Sequence, residues 1–275
     1  MSKGFKPRRS VLFVPGSSEK MLEKARNLPC DVVVLDLEDS VAPQAKQAAR
    51  TAVCAAVKDY GSREVVVRIN PPASPDGRAD LEAVRAASPD AVLLPKVESA
   101  ADIAAAKGGV PIWAMIETPL GVLNVAAIAA SGVACLAMGT NDLLKAMQAQ
   151  PLPDRRNLWT ALSQTVIAGR AHGVSVIDGT YNDIRDDAGF AESCAQGRAF
   201  GFDGKTLIHP GQIEACNRAF APSAEEIAQA RRILDAFAQN PGKGAIAIDG
   251  QMVERLHADQ ARHLLALAAA IESRA

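Results

Sequence analysis

The feature that most constrains this chain is the alternation of short apolar runs with helical patterns along its length. Eight runs are typical of strands, at residues 11–14, 32–37, 65–69, 91–95, 112–116, 134–138, 174–177 and 206–208. Apart from Asp36, Arg68, Ser175 and Thr206, these runs are hydrophobic and show no regular apolar–polar alternation, as is typical of parallel strands that helices cover on both faces. We therefore expect a parallel sheet whose two faces are both buried.

Helical patterns separate these runs, at residues 18–27, 43–60, 79–87, 100–107, 121–130, 154–172, 183–200 and 211–220. Eight β/α units within 275 residues predict an α/β protein with a TIM (β/α)8 barrel over residues 1–220. An open doubly wound sheet is the alternative, but the first run lacks a following Gly-x-Gly-x-x-Gly pattern. Residues 221–275 predict a C-terminal helical extension that packs on the barrel or on a neighbouring subunit.

Composition narrows the classes of partner. The formal net charge is −1 at pH 7, which argues against a nucleic-acid or membrane-surface binder. No apolar stretch is long enough to cross a bilayer, and the basic residues 1–9 precede no signal-peptide core. The five cysteines are scattered without a Cys-x-x-Cys pair, so we expect reduced thiols and a cytoplasmic location.

Polar residues follow the apolar runs at the positions that would face the active site of a TIM barrel. Packing alone does not account for so many charged side chains directly after buried strands. In chain order the series includes Pro15, Asp36, Glu38, Asp39, Arg68, Asn70, Lys96, Glu117, Asn141, Asp142, Asp178 and His209.

Glu117 and Asp142 end two consecutive strands of this series. Mg²⁺ prefers oxygen ligands and keeps several waters, so two neighbouring carboxylates suit it. The alternative is that each carboxylate caps the helix that follows it. Because the two occur in order with Arg68 nearby in the barrel, we predict a metal pair.

Asp36 and Glu38 point to the same side of an extended segment and are predicted to orient metal-bound water. The alternative is a solvated loop that caps the next helix. Arg68 offers a planar fork for a carboxylate or keto acid, and an internal ion pair with Asp36 or Glu38 is compatible with that role.

Two further strand ends leave alternatives open. Lys96 suits a Schiff-base lysine or a plain charge partner, and a metal site favours the second interpretation. His209 suits acid–base chemistry or a structural role. Backbone N–H groups at Gly139 and Thr140 lie where a helix start can meet a substrate carboxylate.

Seven segments of the chain closely resemble the citrate lyase beta-subunit-like family of the HpcH/HpaI aldolase superfamily, which includes malyl-CoA and citramalyl-CoA lyases. They cover nearly the whole chain in the right order. They are LFVPG at 12–16, DLEDSV at 36–41, VRIN at 67–70, LPKVE at 94–98, IET at 116–118, GTNDL at 139–143 and GKTLIHP at 204–210.

The resemblance implies a Mg²⁺-dependent lyase that cleaves a 3-hydroxyacyl-CoA thioester, such as malyl-CoA or citramalyl-CoA, into acetyl-CoA and a 2-keto acid. In this interpretation Glu117 and Asp142 bind Mg²⁺, and Arg68 holds the keto acid and polarises its oxygen. Asp36, Glu38 and Asp39 would support Arg68 and the water molecules around the metal. The backbone of Gly139, Thr140 and Asn141 would bind the substrate carboxylate. Pro15 and Lys96 would border the CoA channel.

The tail departs from the family pattern. Malyl- and citramalyl-CoA lyases carry a catalytic aspartate there, in a Gly-x-Met-Ile-Asp pattern that reaches a neighbour's active site. Residues 250–254 read Gly-Gln-Met-Val-Glu, so Glu254 occupies the aspartate position. Glu254 is a candidate for the proton-transfer group and Asp249 is a second one. Alternatively, the tail only builds an interface in a homo-oligomer, which the family leads us to expect to be a trimer.

Three other functions stay open at this point. The first is the beta subunit of a citrate lyase that acts on a citryl thioester of an acyl-carrier protein. The second is a metal-dependent aldolase on free hydroxy-keto acids, and the third is a non-catalytic barrel that binds CoA esters.

Overall fold

Eight parallel strands form a closed barrel in order, and this confirms the predicted TIM barrel. The structure is a computed structural model that describes residues 6–274. The strands are β1 Ser10–Pro15, β2 Val32–Asp36, β3 Glu64–Arg68, β4 Ala91–Leu94, β5 Ile112–Ile116, β6 Cys135–Met138, β7 Ser175–Asp178 and β8 Gly204–Leu207.

Helices surround the strands. They are α1 Glu19–Ala25, α2 Lys46–Ala56, α3 Pro75–Ala87, α4 Ala100–Ala106, α5 Pro119–Leu123, α6 Val125–Ala130, α7 Thr140–Ala146, α8 Trp159–Ala171, α9 Asp187–Phe200 and α10 Ile213–Phe220. Short 3-10 turns occur at Pro43–Ala45, Arg156–Leu158 and Pro210–Gln212. The predicted helix 121–130 is divided at Asn124, and α7 begins at the helix start predicted for Gly139 and Thr140.

The strand register sets the level of the first three strand ends. Pro15 lies opposite Asp36 on the neighbouring strand, and Asp36 lies opposite Arg68 on the next. Apolar side chains such as Val34 and Trp113 pack in one cluster inside the barrel, while Val33 and Leu35 belong to the layer under the helices. This alternation along β2 leaves Asp36 on the same side as Val34, at the C-terminal rim.

The chain divides into two compact units, one of which is Arg8–Phe220. The other comprises, among the described residues, 221–274 together with Lys6 and Pro7. Its elements are α11 Ala224–Ala238, β9 Ala245–Ile248, β10 Gln251–Glu254 and α12 Arg255–Glu272.

In the second unit, two helices are joined by an antiparallel β-hairpin. Ser223 begins α11 through a reciprocal capping box with Glu226. Asp249 and Gly250 both have positive φ angles, as a tight hairpin turn between β9 and β10 requires. Across residues 6–274 no helix combines the length and the hydropathy that a membrane span needs.

Candidate active site

A cavity of about 360 Å³ lies at the C-terminal ends of the barrel strands. Apolar side chains, including Phe13, Met115 and Met138, form part of its wall. Most of the predicted site residues line it, namely Pro15, Asp36, Asp39, Arg68, Glu117, Gly139, Thr140, Asn141 and Asp142. The rule that strand ends build the site of a TIM barrel therefore brings together residues from β1, β2, β3, β5 and β6.

Asp36 holds Arg68 in a two-pronged ion pair. The Nε and Nη2 atoms of Arg68 donate to Oδ1 and Oδ2 of Asp36, each at 2.7 Å. Each carboxylate oxygen also accepts one backbone N–H, from Glu38 at 2.9 Å and from Ser40 at 3.1 Å. Burial acts to raise the pKa of Asp36, but the Arg68 and N–H bonds outweigh it and lower that pKa. Asp36 therefore stays ionised and fixes the orientation of Arg68.

The third nitrogen of Arg68 meets two more carboxylates. Its Nη1 lies 3.0 Å from Oε2 of Glu38 and 3.5 Å from Oδ2 of Asp39. The guanidinium carbon lies 4.8 Å from the centroid of the Phe13 ring, a cation–π distance. Arg68 is thus a buried, permanently charged group whose position is fixed on several sides.

Glu117 is buried with one satisfied and one unsatisfied oxygen. Its Oε1 accepts the backbone N–H of Lys96 at 2.8 Å, whereas Oε2 has no hydrogen-bond partner among the described residues. Burial raises the pKa of Glu117 to about 7, and the charge of Asp142 adds to the effect. A Cβ at position 139 would lie 2.3 Å from Oε2, so Gly139 allows the carboxylate to occupy this place.

These features fit a divalent cation. An unpartnered buried carboxylate oxygen is costly unless something binds it, and a hard cation is the natural partner. In residues 6–274 no cluster of three or more His, Cys, Asp or Glu side chains could hold a metal by itself. Mg²⁺ does not need one, since it is commonly held by one or two carboxylates together with water and substrate oxygens. Glu117 and the half-buried Asp142 supply such a pair.

Lys96 and Glu38 are not among the residues that line the cavity, but they form an ion pair next to Glu117. The Nζ of Lys96 donates to Oε1 of Glu38 at 2.6 Å and lies 3.9 Å from Oε1 of Glu117. Burial acts to lower the pKa of Lys96, but the bond to Glu38 and the nearby carboxylates raise it overall. A Schiff-base lysine requires a lowered pKa, so the raised pKa of Lys96 and its ion pair with Glu38 favour the charge-partner interpretation.

The start of α7 corrects one expectation about substrate carboxylate binding. The Gly139 N–H already donates to the carbonyl of Ile116 at 3.0 Å, so it is not free to receive a substrate. Thr140 and Asn141 open the helix, where backbone N–H groups have no intrahelical acceptor. The Asn141 side chain exchanges two hydrogen bonds with Asn182, at 3.1 and 2.8 Å.

The last two strand ends have structural partners. Asp178 is fully buried and pairs with Lys205 and Arg155, each at 2.8 Å. His209 accepts the Gly211 N–H through Nδ1 at 3.1 Å and thereby begins a 3-10 turn. This geometry favours the structural interpretation of His209.

The tail candidates lie in the second unit. Glu254 ends β10, and its backbone N–H donates to Nδ1 of His257 at 3.0 Å. Asp249 lies in the hairpin turn and pairs with Arg232.

The sequence reasoning missed several wall residues of the cavity, namely Phe13, Met115, Met138, Thr180 and Ile208. Three of them, Phe13, Met115 and Met138, are apolar strand residues, which carry no signal that separates a cavity wall from a packed interior.

The fold and this site define a TIM-barrel protein whose cavity is lined by two acidic side chains suited to a cation and by a fixed arginine. The family model described as HpcH/HpaI aldolase/citrate lyase matches residues 9–210. The chain belongs to this family, and the resemblance predicted from the seven segments is confirmed.

Named relatives cover almost the full length. The chain is 47% identical over 273 residues to "(3S)-malyl-CoA thioesterase" of Cereibacter sphaeroides strain KD131, covering 96% of each chain. It is 35% identical to citrate lyase subunit beta of Haemophilus influenzae, covering 94% of this chain and 96% of that one. The crystal structure of CitE from Mycobacterium tuberculosis with magnesium, acetoacetate and coenzyme A matches with a TM-score of 0.83 and 33% identity, covering 98% of this chain and 99% of that one.

Proposed function

We propose that this protein is a Mg²⁺-dependent carbon–carbon lyase that acts on a 3-hydroxyacyl-CoA thioester of the malyl-CoA or citramalyl-CoA type. The products would be acetyl-CoA and a 2-keto acid. The observation that carries the proposal is the buried Oε2 of Glu117, which has no hydrogen-bond partner among the described residues and lies in the same cavity as the fixed guanidinium of Arg68. The magnesium, acetoacetate and coenzyme A of the similar CitE structure support both the cation and the class of substrate.

Glu117 and Asp142 would hold the Mg²⁺ ion. When bound, Mg²⁺ would act as a Lewis acid toward the hydroxyl and carboxylate oxygens of the substrate. The two carboxylates leave most of the coordination sphere to water and substrate, which is the usual arrangement for this ion.

Arg68 supplies the fixed positive charge. Cleavage breaks the bond between the carbinol carbon and the carbon next to the thioester, and the hydroxyl oxygen becomes a keto oxygen. A preorganised guanidinium stabilises negative charge on that oxygen without reorganisation. Asp36 positions Arg68, because each of its oxygens already accepts two hydrogen bonds.

Two protons must move in this reaction. A base removes the proton of the substrate hydroxyl group, and an acid delivers a proton to the enolate carbon of the leaving acetyl thioester. We assign the tail carboxylate Glu254 of a neighbouring copy to proton transfer, with Asp249 as the second candidate. This assignment requires a homo-oligomer, for which the family leads us to propose a trimer in the cytoplasm.

Hydrolysis of the thioester is the second candidate reaction. It is favoured by the 47% identity to a protein named (3S)-malyl-CoA thioesterase and by the longer carboxylate of Glu254 in the tail. In this reaction water adds to the thioester carbonyl, the carbon–sulfur bond breaks, and the CoA thiol leaves with a proton. The products would be the free hydroxy acid and CoA.

The products separate the two reactions. Purified protein is incubated with Mg²⁺ and with malyl-CoA or citramalyl-CoA, and keto acid, acetyl-CoA and free thiol are measured together. The proposal predicts equal amounts of keto acid and acetyl-CoA without free thiol, whereas free thiol without keto acid supports hydrolysis. Absence of both keto acid and free thiol, together with unchanged Mg²⁺ binding in Glu117→Ala, contradicts the lyase reaction and the metal site.

A further inference from the structure

We propose that Glu38 is a positioning residue that holds the Lys96 ammonium away from Glu117 and so reserves the Glu117 carboxylate for a divalent cation. The inference rests on the proposed Mg²⁺ site. It concerns the competition between a side-chain ammonium and a metal ion for one buried carboxylate.

Lys96 is anchored beside Glu117 by its own backbone. Its N–H donates to Oε1 of Glu117 at 2.8 Å, and its φ angle is +51°, in the left-handed region that non-glycine residues rarely adopt. Because the main chain is fixed there, the Lys96 side chain begins next to the proposed metal ligand. Its Nζ lies 3.9 Å from the same Oε1 atom.

Glu38 holds that ammonium in a shorter contact than Glu117 does. Its Oε1 accepts from Nζ of Lys96 at 2.6 Å, and its Oε2 lies 3.0 Å from Nη1 of Arg68. The Glu38 side chain is only 6% exposed, so its position between the two cations is fixed by packing. Glu38 therefore links Arg68, at the end of β3, to Lys96, which follows β4.

Loss of the Glu38 charge would leave Glu117 as the nearest carboxylate to the Lys96 ammonium. A shift of about 1 Å would bring Nζ from its present distance into hydrogen-bond range of Glu117. An ammonium paired with Glu117 neutralises the charge that attracts Mg²⁺ and occupies lone pairs that the ion needs. The structure thus assigns to Glu38 a role that is separate from contact with metal or substrate.

The test measures Mg²⁺ affinity by calorimetry in four proteins: the wild type, Glu38→Gln, Lys96→Met and the double variant. We expect Glu38→Gln to weaken binding about tenfold or more, as outer-shell changes commonly do. The double variant should regain wild-type affinity, because the competing ammonium is gone. Lys96→Met alone should bind at least as tightly as the wild type.

Asp39→Asn is the matched control. Asp39 also pairs with Arg68, at 3.5 Å, and its loss removes the same unit of charge, but among the described ion pairs it has none with Lys96. It should weaken Mg²⁺ binding far less than Glu38→Gln. Thermal melts of each variant show whether it is folded at the temperature of the titration.

Two results would overturn the inference. One is a Glu38→Gln variant that binds Mg²⁺ as the wild type does. The other is a double variant that binds as weakly as Glu38→Gln, which would place the effect on Arg68 or on charge alone. A wild type that binds no Mg²⁺ overturns the proposed function as well, so the two failures are distinguishable.

Discussion

Two arginine–carboxylate pairs at opposite ends of the barrel have nearly the same local geometry. At the N-terminal end, Arg8 donates to both oxygens of Glu64 at 2.7 and 2.8 Å and stacks 4.8 Å from the Trp113 ring. At the C-terminal end, Arg68 donates to both oxygens of Asp36 and lies at the same distance from its own aromatic ring.

The surroundings of the two pairs differ. The remaining nitrogen of Arg8 donates to the carbonyl of Ala134 at 3.2 Å, so that pair is satisfied by the fold itself. Around Arg68, two cations meet a surplus of acids and a cavity opens beside them. The cations are Arg68 and Lys96, and the acids are Asp36, Glu38, Asp39, Glu117 and Asp142.

We infer that the Arg8–Glu64 pair only stabilises the fold, whereas the Arg68–Asp36 pair belongs to a binding site. At the N-terminal end the charge of Arg8 is balanced by that of Glu64. At the C-terminal end the acids outnumber the cations, and Oε2 of Glu117 has no hydrogen-bond partner among the described residues, so the proposed cation would compensate this charge. The same residue chemistry therefore has two uses, and the uncompensated charge distinguishes them.

The largest expected effect is that of Arg68→Lys, measured against Arg8→Lys as a separate single variant. Arg68→Lys keeps the charge but loses the two-pronged geometry, so kcat/KM with the CoA thioester should fall about 10²–10³-fold. Arg8→Lys should leave kcat/KM near the wild-type value. Steady-state assays of the two variants test the contrast, and equal losses in both would contradict it.

Glu117→Gln should lose Mg²⁺ binding and yet stabilise the metal-free protein at alkaline pH. The pKa of Glu117 is about 7 in the fold against an ordinary 4.5, so ionisation destabilises the fold as the pH rises through this window. Above pH 8 the gain in unfolding free energy should approach about 3 kcal/mol, and below pH 4.5 it should vanish.

Chelator-treated protein is unfolded with denaturant at pH 5 and pH 8 to measure this gain. Glu64→Gln at the N-terminal end is the control, because it leaves Arg8 unpaired and should destabilise the protein at both values. A Glu117→Gln variant that is less stable than the wild type at pH 8 would mean that the carboxylate is well satisfied without metal.

Mg²⁺ affinity should depend on pH in the same window. A proton and the metal compete for Glu117, whose pKa is about 7, so the Mg²⁺ Kd should rise as the pH falls below 7, by about tenfold per unit. Calorimetric titrations from pH 8 to pH 5.5 measure this slope. A constant Kd over that range would remove Glu117 from the ligand set.

The smallest expected effect is on the stability of the N-terminal end. Arg8→Lys loses the second bond to Glu64 and the stacking on Trp113, at a cost of about 1–2 kcal/mol in unfolding free energy. Denaturant unfolding near pH 7 measures it. No loss would show that this pair does not stabilise the barrel.

Sequence reasoning was most successful where the physics is periodic. Continuous apolar runs located all eight strands, and the rule on strand ends located Arg68, Glu117 and Asp142. It set the start of β8 two residues late, because β8 begins at Gly204 and carries the fully buried Lys205, whose charge interrupts the apolar pattern. It gave no range for α7, although the argument for a carboxylate site at Gly139 and Thr140 already expected a helix to begin there, as it does.

Other features depend on pairings that only the three-dimensional structure specifies. Which carboxylate binds Lys96, and which oxygen of Glu117 stays free, follows from side-chain positions across three strands. The Gly139 N–H is used by Ile116 through a contact between neighbouring strand ends, which the helix-start argument did not include. A sequence pattern identifies the charged groups at a site but not their partners.

The central claim is that Glu117 and Asp142 bind one divalent cation in the cavity beside Arg68. Anomalous diffraction from a crystal soaked in Mn²⁺, which takes similar oxygen ligands, tests it directly. The account predicts a single strong peak within about 2.0–2.3 Å of oxygens of both carboxylates. No peak in this cavity, or a peak that contacts neither side chain, would contradict it.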